Sequence, residues 1–127
     1  MIWLNGALLP DTAARVSIYD SAMMYGDSCF EMLRTFHQLH FAPAAHYSRL
    51  CLGAVTLGLP EPAWPLDEIT AANHFPKGDE IRTLVTCGRG ILPIYPDGDH
   101  APWTMVCQYP LRWILAGKSH LYHEGVH

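Results

Sequence analysis

The stretch Phe30-Glu-Met-Leu-Arg-Thr-Phe36 predicts a β-strand. The elements predicted on either side of it indicate the class of the fold. The aromatic and other β-forming residues of this stretch favour extended backbone. Side chains alternate between the two faces of a strand. One face therefore carries Phe30, Met32, Arg34 and Phe36, and the other carries Glu31, Leu33 and Thr35. Arg34 is placed among apolar neighbours, either as a charge that reaches past a sheet edge or as a binding group.

More strands are predicted on both sides of this one. Asn5-Gly6 lies between apolar residues in Trp3–Leu9, and this pair is typical of a tight hairpin turn that needs positive φ at both positions. A short strand is expected around residues 15–18. Residues 80–86 and 103–109 are rich in β-formers and predict two more strands, separated by Gly88-Arg89-Gly90 and a loop rich in Pro, Gly and Asp.

Two helices are predicted between these strands. The first follows Pro43, which suits the first turn of a helix, and Gly58 can end it. The second covers residues 66–73, with acidic residues suited to its first turn. Strands and helices in this order predict an α+β fold, a mostly antiparallel sheet with two helices.

Composition excludes several classes of protein. The chain has 127 residues, enough for one domain, with 50% apolar and 16% charged residues, so it is not disordered. A net charge of −4 without a basic run argues against a nucleic-acid partner. No apolar run is long enough to cross a membrane and no signal peptide is recognised, so a cytoplasmic location is expected. The four cysteines, which lack paired spacing, are expected to be free core thiols.

Common catalytic and nucleotide-binding motifs do not fit the chain. His123-Glu-Gly-Val-His127 has the H-E-x-x-H pattern of zinc proteases, but Gly125 weakens the helix that the pattern requires. A weak surface metal site including His120 is the other interpretation of these histidines. Gly88-Arg89-Gly90 lacks the third glycine of a dinucleotide-binding loop. Three arginines next to glycine or aromatic residues remain, which favours a small anionic ligand, or else ordinary surface ion pairs: Arg34, Arg49 and Arg89.

The chain resembles the N-terminal domain of the class IV, pyridoxal-phosphate-dependent aminotransferases. That family includes branched-chain and D-amino-acid aminotransferases and aminodeoxychorismate lyases. Four colinear motifs carry the resemblance, which is densest from Trp3 to Leu57: Trp3-Leu-Asn-Gly-x-Leu-Leu-Pro, Ala14-Arg-Val-Ser-Ile-Tyr-Asp20, Tyr25-Gly-Asp-x-x-Phe-Glu-x-x-Arg34 and His46-x-x-Arg49-Leu50.

The resemblance implies a role for five residues. Arg49 matches the arginine that binds the phosphate of pyridoxal 5'-phosphate. Tyr25 and Phe30 match aromatic residues on the substrate side, and Arg34 matches an arginine near that pocket. Arg89 lies close to a loop that helps hold the substrate carboxylate, although Cys87 occupies the place where the family often has Arg-Gly.

The family's Schiff-base lysine belongs to its second domain, and neither Lys77 nor Lys118 matches it. We therefore expect residues 1–109 to form the N-terminal domain and 110–127 to begin an interdomain segment, with the chain inactive alone. Its reaction in the complete enzyme would transfer an amino group between an amino acid and a 2-oxo acid. The alternative is a non-catalytic binding or dimerisation module. An apolar face left for another domain predicts a homo-oligomer.

Phe30 and Arg34 favour the branched-chain type of substrate. Asp27 favours the D-amino-acid and lyase types. Sequence patterns leave these alternatives open.

Overall fold

A computed structural model describes residues 1–116 of the chain. Six strands form one sheet: β1 (Ile2–Leu4), β2 (Ala7–Leu9), β3 (Ser28–Phe36), β4 (Leu39–His40), β5 (Ile81–Gly88) and β6 (Trp103–Pro110). Their order across the sheet is β2-β1-β6-β5-β3-β4, and every neighbouring pair is antiparallel. The predicted α+β class is confirmed.

Helices pack beside this sheet: α1 (Ser21–Tyr25), α2 (Pro43–Leu57) and α3 (Leu66–Asn73). Both predicted helices are confirmed. The short α1, the two-residue strand β4 and a helical segment over residues 111–116 were not predicted. Asp20 caps α1 by accepting a hydrogen bond from the Ala22 amide (2.9 Å), and Gly26 ends it at φ 68°. A five-residue helix made by its caps has too short a pattern to be recognised by periodicity.

The Asn5-Gly6 hairpin is confirmed, with φ 50° and 93° at the two turn residues. The strand expected around residues 15–18 is wrong. That segment has no strand partner, and its β-forming side chains Val16 and Ile18 are exposed. After this segment, Asp20 forms an isolated antiparallel bridge with Ile91, outside the six strands.

One face of the sheet is buried and the other is exposed. Glu31 of β3, Val85 of β5, Val106 of β6 and Trp3 of β1 are directly opposite one another in turn, and all four are buried. Leu33 is buried on the same face, together with Leu50 of α2. The core therefore lies between this covered face and the helices.

The opposite face of the sheet is open in the described part of the chain. Phe30 is 61% exposed and Phe36 is 47% exposed, and Met32 between them is also exposed. The ring of Phe41 packs edge-on against Phe36, with ring centroids 5.5 Å apart. The alternation predicted for β3 is confirmed, and its apolar set is the one that faces away from the core.

Helix α2 approaches β3 closely because Gly53 has no side chain. A Cβ atom at that position would lie 3.2 Å from Cβ of Cys29. All four cysteines are free: Cys87 is buried, whereas Cys29, Cys51 and Cys107 are half-buried. No helix within residues 1–116 is long and apolar enough to cross a membrane. The His123–His127 motif, His120 and Lys118 lie outside the described residues.

Candidate functional site

Arg49 of α2 is held by Glu31 of β3 through two hydrogen bonds. Arg49 Nε donates to Glu31 Oε1 (2.5 Å), and the terminal nitrogen Nη2 donates to Oε2 (2.8 Å). The Glu31 side chain is only 6% exposed, whereas that of Arg49 is 70% exposed. A fixed guanidinium with its outer edge in solvent is suited to bind an anion.

His46 joins the same carboxylate, one helical turn before Arg49. Its Nδ1 lies 2.7 Å from Glu31 Oε2. The Arg49 guanidinium lowers the pKa of Glu31 below its ordinary value, and the hydrogen bond from His46 also lowers it, against the opposing effect of burial. Glu31 is therefore an anion that holds two side chains of the His46-x-x-Arg49 motif in place.

An open cavity of about 180 Å³ adjoins this cluster and is lined by Ala45, His46 and Arg49. It has room for several waters, each of which takes about 30 Å³ in the liquid. Strand β4 pairs only with Thr35 and Phe36, so the edge of β3 from Ser28 to Leu33 is unpaired within residues 1–116. Glu31, the partner of Arg49, thus lies within this unpaired stretch.

Arg34 lies on the open face of the sheet. Its Nε donates to the Thr35 carbonyl (3.0 Å), and its guanidinium carbon lies 3.8 Å from the centre of the Phe36 ring. Glu80 Oε2 is 4.0 Å from the nearest Arg34 nitrogen, so this ion pair is loose. Arg34 therefore presents a charge on the apolar surface, as its alternation with Phe30 and Phe36 predicted.

Arg82 of β5 is a further candidate that sequence analysis missed. It is directly opposite Arg34 in β3 and Tyr109 in β6, so the three side chains form one row on the open face. The Arg82 side chain makes no hydrogen bond or ion pair with any described residue. Two like charges placed directly opposite destabilise a sheet unless an anion neutralises them. The strand register alone reveals this row, because residues 34 and 82 are distant in sequence.

Tyr25 and Phe30 are both exposed, as the predicted substrate-side residues would be. Tyr25 is the last residue of α1, and Phe30 lies on the open face of β3. Gly26 turns the chain between these two elements at φ 68°.

Arg89 has a structural partner. Its guanidinium donates two hydrogen bonds to the Asp27 carboxylate and one to the Leu57 carbonyl at the end of α2. Asp27 also accepts from the Ser21 hydroxyl (3.0 Å), and the hydrogen bond from Arg89 is the main cause of its lowered pKa. Arg89 thus joins α1, α2 and the end of β5. Its proposed contact with a substrate carboxylate stays a prediction.

The predicted residues fall into two groups on β3. Glu31 points to the covered face and holds Arg49, whereas its neighbour Phe30 and the next arginine, Arg34, point to the open face. The only lysine among residues 1–116 is Lys77, which is exposed in the turn after α3. The described residues therefore contain an exposed arginine fixed by a buried carboxylate, and a separate apolar face.

Comparison with known proteins supports the resemblance. The chain is 34% identical to a probable branched-chain-amino-acid aminotransferase of Rickettsia typhi over 93 residues, which are 68% of this chain and 32% of the relative. It is 31% identical to a putatively assigned enzyme of the same kind from Methanocaldococcus jannaschii over 101 residues, 75% of this chain and 35% of that one. The chain thus spans about a third of the length of the curated relatives that it matches. No protein-family model matches it.

Solved structures give the same result. A hypothetical aminotransferase from Mycobacterium tuberculosis, in its form with α-ketoglutarate and PMP bound, is 26% identical with a TM-score of 0.64, over 90% of this chain and 41% of that chain. A branched-chain aminotransferase from the archaeon Thermoproteus uzoniensis, solved with norvaline, has a TM-score of 0.65 at 21% identity, over 86% of this chain and 40% of that chain, which shows the fold alone. The predicted resemblance to class IV N-terminal domains is confirmed.

Proposed function

We propose that this chain, which has the fold of a class IV aminotransferase N-terminal domain, forms one wall of the active-site cleft of such an enzyme. The complete enzyme would transfer an amino group from an amino acid to a 2-oxo acid. The likeness to branched-chain-amino-acid aminotransferases supports this proposal. The domain would cover residues 1–109, since β6 ends at Pro110, and residues from 110 onward would lead into the segment that follows.

The observation that carries the proposal is the exposed guanidinium of Arg49, fixed by the buried Glu31. Glu31 occupies Nε and Nη2, and the remaining nitrogen, Nη1, is left for the phosphate of pyridoxal 5'-phosphate. Phosphate is an anion that arginine binds well through charge-assisted hydrogen bonds. When bound, this cofactor supplies an electron sink for carbanion chemistry at the amino acid.

The open face of the sheet would form the substrate side of the cleft. Phe30 and Met32 offer apolar surface to an aliphatic side chain. Arg34 and Arg82, which are directly opposite, would bind a second carboxylate such as that of a dicarboxylic 2-oxo acid. The α-ketoglutarate-bound M. tuberculosis relative supports a dicarboxylate in this family fold.

The lysine of the reaction would come from the part of the relatives that this chain does not match. Lys77 is exposed, in the turn after α3, and it does not match the family's Schiff-base lysine. We therefore propose that residues 1–127 by themselves do not catalyse the transfer.

A non-catalytic binding or dimerisation module is the second candidate, and the open apolar face favours it. Either way we propose that this surface is covered in the assembled protein, by a further domain or by a second copy in a homo-oligomer. The four free thiols support a reducing, cytoplasmic location.

Binding of pyridoxal 5'-phosphate to the chain tests the proposal. Tryptophan fluorescence would be titrated with the cofactor for the wild type, Arg49→Ala and Arg15→Ala. Arg15 is an exposed arginine that makes no ion pair among the described residues, so it controls for the loss of a positive charge. A charge-assisted contact implies about 10- to 150-fold weaker binding for Arg49→Ala. Equal binding by Arg49→Ala and the wild type would refute the phosphate assignment.

A further inference from the structure

His46 occupies a position that the phosphate assignment leaves unused. Its Nδ1 is bound to Glu31 Oε2 at 2.7 Å, and its ring lines the same cavity as Arg49. The His46 side chain is 20% exposed, and its Nε2 makes no hydrogen bond with any described residue. The ring is therefore held at one nitrogen and free at the other, beside the proposed phosphate.

The hydrogen bond to Glu31 determines which ring nitrogen carries a proton. An ionised carboxylate only accepts hydrogen bonds, so Nδ1 must be the donor. In a neutral ring Nε2 is then an acceptor and would repel an anion in the cavity. In a protonated ring Nε2 becomes a second donor and would bind that anion.

The charges around His46 favour the protonated ring once phosphate is bound. Arg49 on α2 and Glu31 on β3 neutralise each other, and the nearby Cys29 thiol adds no positive charge. A phosphate dianion would thus give the cluster a net charge of about −2. One proton on His46 halves this charge and places a cation between the two anions.

We propose that His46 is a second ligand of the phosphate and that it takes up a proton when the phosphate binds. Glu31 then acts as a positioning residue for both donors, His46 and Arg49. This inference rests on the proposed function, because it requires an anion at Arg49. It makes the affinity for a phosphate monoester dependent on pH above neutrality, where the monoester itself, with a second pKa of about 6, remains dianionic.

The test measures binding of two phosphate monoesters, methyl phosphate and pyridoxal 5'-phosphate, between pH 7 and 8.5. NMR of the His46 ring proton on Cε1 reports its protonation, and calorimetry in two buffers of different ionisation enthalpy counts protons taken up. Affinity is expected to fall by up to about tenfold per pH unit, the limit for one coupled proton. The His46 resonance should move toward the protonated position as either probe is added.

Two variants separate this inference from the proposed function. His46→Asn keeps a donor near the Nδ1 position and removes Nε2, so it should weaken binding at pH 7 and abolish the pH dependence. His74→Asn is the matched control, since His74 is exposed and its φ of 50° suits asparagine. Circular dichroism establishes that each variant is folded.

The outcomes are distinct for the two ideas. If His46→Asn retains the pH dependence, or calorimetry detects no proton uptake, the role of His46 is wrong, while weak binding by Arg49→Ala still supports the phosphate site. If Arg49→Ala binds both probes as the wild type does, the phosphate site itself is wrong. Loss of pH dependence in His46→Asn, with normal behaviour of His74→Asn, supports the inference.

Discussion

Glu31 and Arg49 form a two-point ion pair in which the carboxylate is buried and the guanidinium reaches solvent. The pair joins strand β3 to α2. It therefore gives the buried Glu31 the partners it needs inside the protein and leaves the Arg49 guanidinium accessible, as the proposed phosphate binding requires.

Replacement of Glu31 should change both stability and its dependence on pH. Glu31→Gln is expected to lower the free energy of unfolding at pH 7 by about 1–3 kcal/mol, since it removes charge-assisted hydrogen bonds at a buried site. The pKa of Glu31 is lowered on folding, so its contribution is complete above the ordinary value of 4.5 and is lost as the pH falls below it. Urea unfolding at pH 7 and pH 3.5 measures both effects. Glu68→Gln, at an exposed position on α3, should leave both values near those of the wild type.

His40 should make the protein less stable in mild acid. Gln108 donates to the Thr83 hydroxyl (3.0 Å), which leaves that hydroxyl free to donate to Nε2 of His40 (2.9 Å). Burial lowers the pKa of His40 below its ordinary value of 6.5. The unfolded chain thus takes up a proton more readily than the folded chain, and stability should decrease as the pH falls below about 6.5.

Unfolding midpoints between pH 7.5 and 5.5 would measure this effect of His40. His40→Gln, which can still accept from Thr83, should show a smaller decrease than the wild type. The exposed His37→Asn should keep the full decrease. An unchanged decrease in His40→Gln would contradict the assignment.

Gly88 should not tolerate a side chain. A Cβ atom there would lie 2.2 Å from the Trp103 ring, in the pair of strands β5 and β6. Trp103 cannot move freely, because its indole nitrogen donates to Asp20 (2.7 Å). Gly88→Ala is expected to cost about 1–3 kcal/mol through overpacking.

Gly53→Ala is the control for Gly88→Ala. An added Cβ at Gly53 would lie 3.2 Å from Cβ of Cys29, which is a less severe overlap. The midpoint temperature of thermal unfolding should be lower for Gly88→Ala than for Gly53→Ala. The reverse order would mean that the helix–strand contact, rather than the Trp103 contact, is the tighter one.

The open sheet face should cause self-association of the isolated chain. Exposed apolar patches of this kind bind other apolar surfaces. Phe30→Ser removes one of the most exposed side chains of this face and should shift light-scattering masses toward the monomer at high concentration. Val55→Ser changes an apolar residue on α2 that is even more exposed than Phe30, and it should not shift the mass. A monodisperse monomeric wild type would refute the prediction.

Local signals predicted the fold well where neighbours in sequence decide the structure. The Asn5-Gly6 turn, the helix after Pro43 and the helix over residues 66–73 carry their signals within their own residues, although packing stabilises them. The strand predicted at residues 15–18 was wrong, because a strand also needs a partner elsewhere in the chain. Their β propensity had no partner strand, and pairing is a non-local property.

The candidate site was only partly predictable. Arg49 was found through its motif, and Arg34 through the alternation of β3. Arg82 was missed because only the register places it opposite Arg34. Arg89 was predicted as a candidate binding residue. Its hydrogen bonds to Asp27 and Leu57 were not predicted, because they join elements that are distant in sequence.

The sequence by itself determined the class of the fold, most of its strands, the two main helices and the identity of the basic residues, because propensity, periodicity and turn chemistry act over a few residues. Only the tertiary structure decided which charges are neutralised and which remain free. Glu31 became the partner of Arg49 and His46 because α2 packs across β3 at Gly53. The energy of a charge depends on its burial and its neighbours in space, and the folded chain alone fixes both.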